Sequence, residues 1–395
     1  MNNITNKIIP ELIALIMVML LTVGYKFSLW SEFSLVIIVP FILIERYISH
    51  KQITFSINKY IFWGFLLFGL LIMISGVINK DWLSIRKAYK YITYATPFFI
   101  CIYLMERFDV TRGIRIGIAC SMVILCGTGI FQWHILHESR VIGVFDSPNA
   151  LGMTLELMTP FSILFIVLSR KYCAKIFWGI LSLSSLACIY LTGSRGAVLG
   201  LAGGAFTSYV IYFIRYQHAL SLKQKALSVI AGIIILIMGT VTLIGVNSYR
   251  DNATGGERAI MLESSYHMWQ DHKLSGIGMA HWKENYYGRY RPEGQHEKGL
   301  DMPHNMIIFY MSTTGIIGAA GYATYVVFTL LGMLKMVKSD VEINYIHAAG
   351  ICIFCGFVVI HGLVDGTIIN SNISKVFYLL FGYAVSVSNK ALKEI

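Results

Sequence analysis

Several short stretches of this chain place together residue types that could do chemistry on an anionic substrate. The first is Asp301-Met302-Pro303-His304-Asn305, followed after nine residues by Gly315-Ile316-Ile317-Gly318. A histidine titrates near physiological pH, so its neutral ring can take a proton from a hydroxyl. The competing reading is that His304 only caps or packs the apolar helix that begins there. The second stretch is Thr192-Gly193-Ser194-Arg195-Gly196. A tight glycine turn leading straight into a helix presents free backbone N–H groups at the helix N-terminus. Arg195 adds a planar donor fork suited to phosphate, although an arginine snorkelling to lipid headgroups would stand in the same place.

Gly255-Gly256-Glu257-Arg258 offers another arginine, beside glycines that allow close backbone approach. An ion pair of Arg258 with Glu257 or Glu263 competes there with phosphate binding. Arg140 to Asn149 ends in Asp146-Ser147-Pro148-Asn149, which is turn chemistry and a helix start. Arg140 reads either as a headgroup contact or as a substrate contact. His361 and Asp365, at i and i+4, are expected on one face near the end of an apolar helix. Ionisable residues in such helices are functional candidates.

The rest of the sequence must hold these residues in a membrane. Of its 395 residues 56% are hydrophobic and only 13% charged, against about a quarter charged in soluble chains. Apolar runs of about 17–25 residues, the length of a transmembrane helix, recur from end to end. The formal charge of +11 is scattered between these runs rather than gathered on one face. It therefore reads as topology signal and not as a nucleic-acid surface. All seven cysteines fall in apolar runs, and an odd number of such thiols argues against a disulfide framework. Cys352-x-x-Cys355 reads as a packing pair. No cleavable signal peptide is expected.

These features predict an all-α integral membrane protein, one polytopic domain over 1–395 with about twelve spans. The spans are expected at 8–23, 29–45, 60–78, 91–105, 114–134, 149–168, 174–192, 196–214, 226–246, 304–336, 345–369 and 372–389. The tenth, at roughly 50 Å, exceeds a hydrocarbon core of about 30 Å. It must tilt, project, or break near Gly315. Lys and Arg crowd alternate connections, which the positive-inside rule assigns to the cytoplasm together with both termini. The loop 247–303, between spans nine and ten, then faces outward, with helical patterning from Arg258 to His272. Lys80, Arg86, Lys87 and Lys90 are the outward exception. They predict a basic amphipathic helix lying on the outer interface, anchored on headgroups, with substrate binding as the competing reading.

The sequence carries no soluble nucleotide-binding fingerprint, no Walker loop and no carboxylate cluster of the kind that holds a divalent metal. A reaction here must draw on an already activated substrate or on an ion gradient. Outward arginines beside a base suit a lipid-pyrophosphate donor.

These stretches resemble the O-antigen ligase and polymerase superfamily of integral membrane glycosyltransferases. The resemblance is carried by His304-Asn305 with Gly315-x-x-Gly318, by Gly193-Ser194-Arg195-Gly196, by Arg258 at the opening of the long loop, and by Phe145-x-x-Pro148-Asn149. The first element looks like the ligase pattern; the others are shared with polymerases. The resemblance implies a glycosyltransferase C-type membrane fold in the bacterial inner membrane. It implies inverting transfer on the periplasmic face, with neither metal nor other cofactor. The donor would be a glycan on undecaprenyl pyrophosphate and the acceptor a lipid A-core sugar hydroxyl, with membrane lipids as the other partners. His304 would be the base, and Arg195 and Arg258 would bind the pyrophosphate. Arg140, His361 and Asp365 are further substrate-binding candidates. Two other readings remain: a polymerase joining undecaprenyl-linked repeats by similar chemistry, and a lipid or drug transporter. A transporter would place its polar residues near the midplane, whereas these collect at one face.

Overall fold

The computed structural model describes residues 2–24, 57–249, 254–293, 299–337 and 341–393. Its helices run in chain order as α1 (Asn2–Thr22), α2 (Lys59–Ile78), α3 (Trp82–Thr93), α4 (Thr96–Phe108), α5 (Thr111–His134), α6 (Pro148–Leu168) and α7 (Tyr172–Leu191). Then follow α8 (Arg195–Tyr216), α9 (Leu222–Tyr249), α10 (Thr254–Asp271), α11 (Trp282–Asn285), α12 (Met306–Met336), α13 (Val341–Ile353) and α14 (Ser371–Lys393). No strand interrupts them among the described residues. Eight helical stretches are long and apolar enough to cross a membrane, and Ile8–Thr22 is a shorter apolar helix. This is the build of an all-α integral membrane protein. The span expected at 29–45 lies outside the described residues.

Burial sorts the helices. In the apolar stretch of α6, 78% is buried, against 11% for α9, so α6 is central and α9 presents its side to lipid. Between α6 and α7 the hydroxyls of Thr159 and Ser185, 2.6 Å apart, and of Ser162 and Ser182, 2.8 Å apart, pair across the interface. Polar links of this kind hold helices together where lipid removes the hydrophobic incentive.

Two expected spans are redrawn. Residues 91–105 do not form one helix, because the chain turns at Tyr94–Ala95 and restarts with Pro97 in the first turn of α4. Proline is tolerated at a helix start and not within one, so 91–93 belong to the amphipathic α3. Nor does the helix of 345–369 continue to its predicted end. After α13 the chain passes through a π-turn, Phe354–Ile360, and a 3-10 turn, His361–Leu363. Beyond that it is irregular up to α14, so His361 and Asp365 do not share a helical face.

The long α12 breaks at Gly315, where φ is 63° and ψ is −162°, a backbone region open essentially to glycine alone. The break frees backbone groups, and a segment of the 247–303 loop supplies their partners. Ile316 N–H donates to the Lys273 carbonyl (2.9 Å), while Ile277 and Gly278 N–H donate to the carbonyls of Ser312 (3.0 Å) and Thr313 (2.9 Å). The end of α2 joins them: Asn79 Nδ2 donates to the Ser275 carbonyl at 3.0 Å and to that of Gly276 at 3.1 Å. Ser75 Oγ donates to the Ser275 carbonyl at 2.7 Å. The loop itself is folded around a small core of Met261, Met268, Trp282, Tyr286 and Leu300. It is a cap bolted to the break in α12.

A Cβ at Gly315 would run into the Leu274 carbonyl, besides forcing the backbone out of its glycine region at a cost of about 1–3 kcal/mol. Gly315→Ala is therefore expected to loosen residues 273–278 from α12 while leaving insertion in the membrane intact. Limited proteolysis of the purified protein should show faster cleavage within the cap, and unchanged cleavage would contradict this account of the break.

Candidate active site

His304 sits between a proline and a helix cap. Pro303 has no N–H, and Asn305 caps α12, its Oδ1 accepting from Ile308 N–H at 3.0 Å while its Nδ2 donates to the Leu363 carbonyl at 2.9 Å. Histidine 304 thus lies just before α12 rather than in its first turn, and its backbone is left-handed, with φ of 51°. Histidine is among the few residues that adopt this region with some frequency, and such local strain is common at functional sites. The consequence is a half-buried ring turned toward the loop that follows α13.

There it meets Asp365, with His304 Nδ1 and Asp365 Oδ1 2.8 Å apart. The same carboxylate oxygen accepts from the Gly366 N–H at 2.8 Å, and Oδ2 accepts from Asn149 Nδ2 at 3.2 Å. Burial alone would raise the Asp365 carboxyl, but the hydrogen bond and charge of His304, with the charges of His361 and Arg258, hold it down to about 2. A carboxyl depressed in this way is ionised at every pH above that value. Its stabilising contribution is complete above the ordinary aspartate range, about 3.9, and is lost only as pH falls toward about 2. As Asp365 stays an acceptor at neutral pH, Nδ1 of a neutral His304 must carry the proton, which leaves Nε2 with the lone pair.

Two of the three expected arginines are tied to this pair through hydrogen bonds, and the third, Arg195, opens the neighbouring helix α8. Arg258, on α10, donates from Nη1 to the Val364 carbonyl at 3.1 Å. It thereby ties the cap to the Asp365 loop. Arg140 donates from Nε to the Thr192 carbonyl at 2.8 Å and from Nη2 to Asn149 Oδ1 at 3.4 Å. A chain of contacts therefore runs from Arg140 through Asn149 and Asp365 to His304. Arg195 opens α8 after a left-handed Gly193 (φ of 63°), with Ser194 Oγ accepting from Ala197 N–H as the cap. Pro148 likewise opens α6 behind a Ser147 cap, as its turn sequence predicts.

His361 has a different setting from the one its sequence position suggests. It is fully buried, with Nδ1 2.6 Å from Glu156 Oε2 on α6. The ring packs against Gly196 and the Glu156 carboxylate against Gly200, where any Cβ would collide. Two glycines one helical turn apart on α8 thus admit a buried His361–Glu156 pair at the start of that helix. Glu156 escaped the sequence reading, although a lone carboxylate inside an apolar run is itself a signal. The bond from His304 to Asp365 spans 61 residues and left no local trace.

Substituting Asp365 by Asn removes the negative charge and turns one of its two acceptor oxygens into a donor, so that the His304 tautomer is no longer fixed. Any transfer that uses His304 as a base should fall by roughly 10²-fold or more. A turnover assay on the purified variant checks this. A wild-type rate would remove Asp365 from the chemistry.

No curated protein matches the chain. A family model described as O-antigen ligase matches residues 180–323. The matched segment runs from within α7 to within α12 and includes Arg195, Arg258, His304 and the Gly315–Gly318 break. Asn149, Glu156, His361 and Asp365 lie outside it. The match supports the O-antigen ligase and polymerase superfamily, whose members are membrane glycosyltransferase-like enzymes.

Proposed function

We propose that this protein transfers a glycan from undecaprenyl pyrophosphate to a hydroxyl of the lipid A-core, on the periplasmic face of the bacterial inner membrane. The observation that carries the reading is the 2.8 Å pairing of His304 with an ionised Asp365. Arg258 is bonded to the residue immediately before that carboxylate. A base held in one tautomer beside fixed positive charge suits acyl or glycosyl transfer. The lipid-linked donor comes from the family match.

The step would run as follows. His304 Nε2 takes the proton of the acceptor hydroxyl as its oxygen attacks the anomeric carbon from the face opposite the pyrophosphate. The bond from that carbon to the pyrophosphate oxygen breaks, so the configuration inverts. The leaving group departs as undecaprenyl pyrophosphate, its new negative charge met by Arg195 and Arg258. His304 then returns its proton to water. Arg140 acts through Asn149 on the carboxylate. His361 and Glu156, being buried, brace the start of α8 instead of touching substrate. A glycosyltransferase C-type arrangement with both termini cytoplasmic goes with this reading.

Three measurements test this reading. Reporter fusions near residues 260 and 290 should place the cap in the periplasm, and a cytoplasmic signal there would overturn the mechanism with the topology. In a purified transfer assay His304→Ala should lose roughly 10²–10⁴-fold in rate, and His304→Gln should lose as much. If His304→Gln keeps most of the activity, the residue is a brace and not a base. Arg195→Lys and Arg258→Lys keep charge but lose the planar fork, so both should fall substantially. Wild-type rates in both would end the pyrophosphate clamp. The lipopolysaccharide banding of a deletion strain decides the branch. Lost attachment with long lipid-linked chains retained means ligase, whereas core carrying a single repeat means polymerase.

A further inference from the structure

The basic helix α3 does more than lie on an interface. Trp82, Leu83 and Tyr89 are exposed, as an interfacial helix requires. Arg86, Lys87 and Lys90, however, line a cavity of about 620 Å³ closed on its other side by Asp301, Met302 and Phe309. Lys283 from the cap and Ile369 from the segment after Asp365 complete its wall. A second hollow of about 470 Å³ shares Arg86, Lys90 and Tyr94 and adds Lys375. The volume of the first is that of a small-molecule site. None of the arginines proposed for the pyrophosphate lines it.

The charge of the cavity is one-sided: Arg86, Lys87, Lys90 and Lys283 face the single carboxylate of Asp301. Like charges at i and i+4, as in Arg86 and Lys90, repel. Burial, and then Lys90, depress the Lys87 ammonium, with Asp301 opposing. A cluster that costs stability in this way gains most from an anion. Tyr91, Tyr94 and Phe309 also line the cavity, and aromatic side chains are the kind that pack against sugar rings.

The cavity is also held in shape. Asp81 caps α3, accepting from Leu83 N–H at 3.0 Å, and its Oδ2 lies 3.0 Å from His281 Nε2 of the cap. Ala280 N–H donates to Ser84 Oγ at 3.1 Å. Finally, it reaches the segment that carries the base. Met302, two residues before His304, lines the cavity and rests its sulfur against Gly366, the neighbour of Asp365.

We propose that this cavity is an acceptor subsite that takes a phosphate- or carboxylate-bearing sugar, so that a hydroxyl on an adjacent residue of the same saccharide reaches His304. The assignment rests on the glycosyltransferase reading, and it differs from headgroup anchoring in requiring the sugar as well as the anion.

The test uses the full-length protein in detergent, with glucose 6-phosphate, glucose and inorganic phosphate as probes in a direct binding measurement. Glucose 6-phosphate should bind wild type at least tenfold more tightly than glucose or phosphate alone. The Arg86→Gln/Lys90→Gln variant, altered only at exposed cations, should lose that preference, while His304→Ala should keep it. Equal binding of phosphate and glucose 6-phosphate overturns the saccharide assignment. So does displacement of glucose 6-phosphate by phosphatidylglycerol nanodiscs, which would make the cavity a headgroup site. In the transfer assay the double variant should raise the acceptor KM about tenfold with kcat little changed; an unchanged KM overturns the acceptor role. If wild type binds glucose 6-phosphate but transfers nothing to any lipid A-core acceptor, the enzymatic reading falls and the anionic-sugar site stands.

Discussion

The hydrogen bond between His304 and Asp365 is the contact on which the arrangement of the polar end depends. It joins the mouth of α12 to the irregular segment after α13, two places that neither helix could bring together by itself. Asp365 is buried, and a buried carboxylate without partners would be costly. It is met by a ring nitrogen, a backbone N–H and the amide of Asn149, which is why it remains charged. Asn149 is itself placed by the Ser147-Pro148 start of α6, and Arg140 leans on both Asn149 and the turn before α8. Helices α6, α8, α12 and α13 thereby share one polar focus. Within that focus His304 is half-buried, whereas Asp365 is buried.

A second constraint comes from the membrane. Backbone groups freed within a hydrophobic span need partners inside the protein, because lipid supplies none. At Gly315 the break in α12 and the Lys273–Gly278 segment of the cap satisfy each other. The same bonds fix where the cap sits, and with it Arg258. At the π-turn after α13 the Tyr322 hydroxyl donates to the Val358 carbonyl at 2.8 Å. The tightly packed Gly200 and Gly356 let α8 and that turn approach closely. Irregular backbone and small residues therefore cluster where the polar side chains are, as expected for sites that must present groups no regular helix presents.

Helix α3 links these themes to the surface. Its exposed aromatic and apolar residues suit an interface, and its cations turn toward the loop that carries His304. The ties through Asp81, Ser84, His281 and Ala280 make helix and cap one rigid wall. An interfacial helix and a binding surface are compatible roles, because the two faces of an amphipathic helix have different neighbours.

Much of this was legible in the residues alone. Apolar run length pointed to the eight long apolar helices among the described residues, and turn chemistry placed the starts of α6 and α8 within one residue. The excess length of the 304–336 run over the hydrocarbon core called for a tilt, a projection or a break near Gly315, and the helix does break there. His304, Arg195 and Arg258 stood out by residue type at the ends of spans. These signals are local, so a linear sequence can hold them. The turn at Tyr94–Ala95 was overlooked because hydropathy runs on through it. The early end of the helix before Asp365 was overlooked because the i, i+4 spacing of His361 and Asp365 imitates a shared face. Which carboxylate partners which histidine, that His361 is enclosed against Gly196 with Glu156, and that the α3 cations close a cavity against Met302 were decided only in three dimensions. Those pairings join residues tens to hundreds of positions apart, and their strength comes from burial and from the geometry of packed helices, neither of which leaves a period or a spacing in the chain.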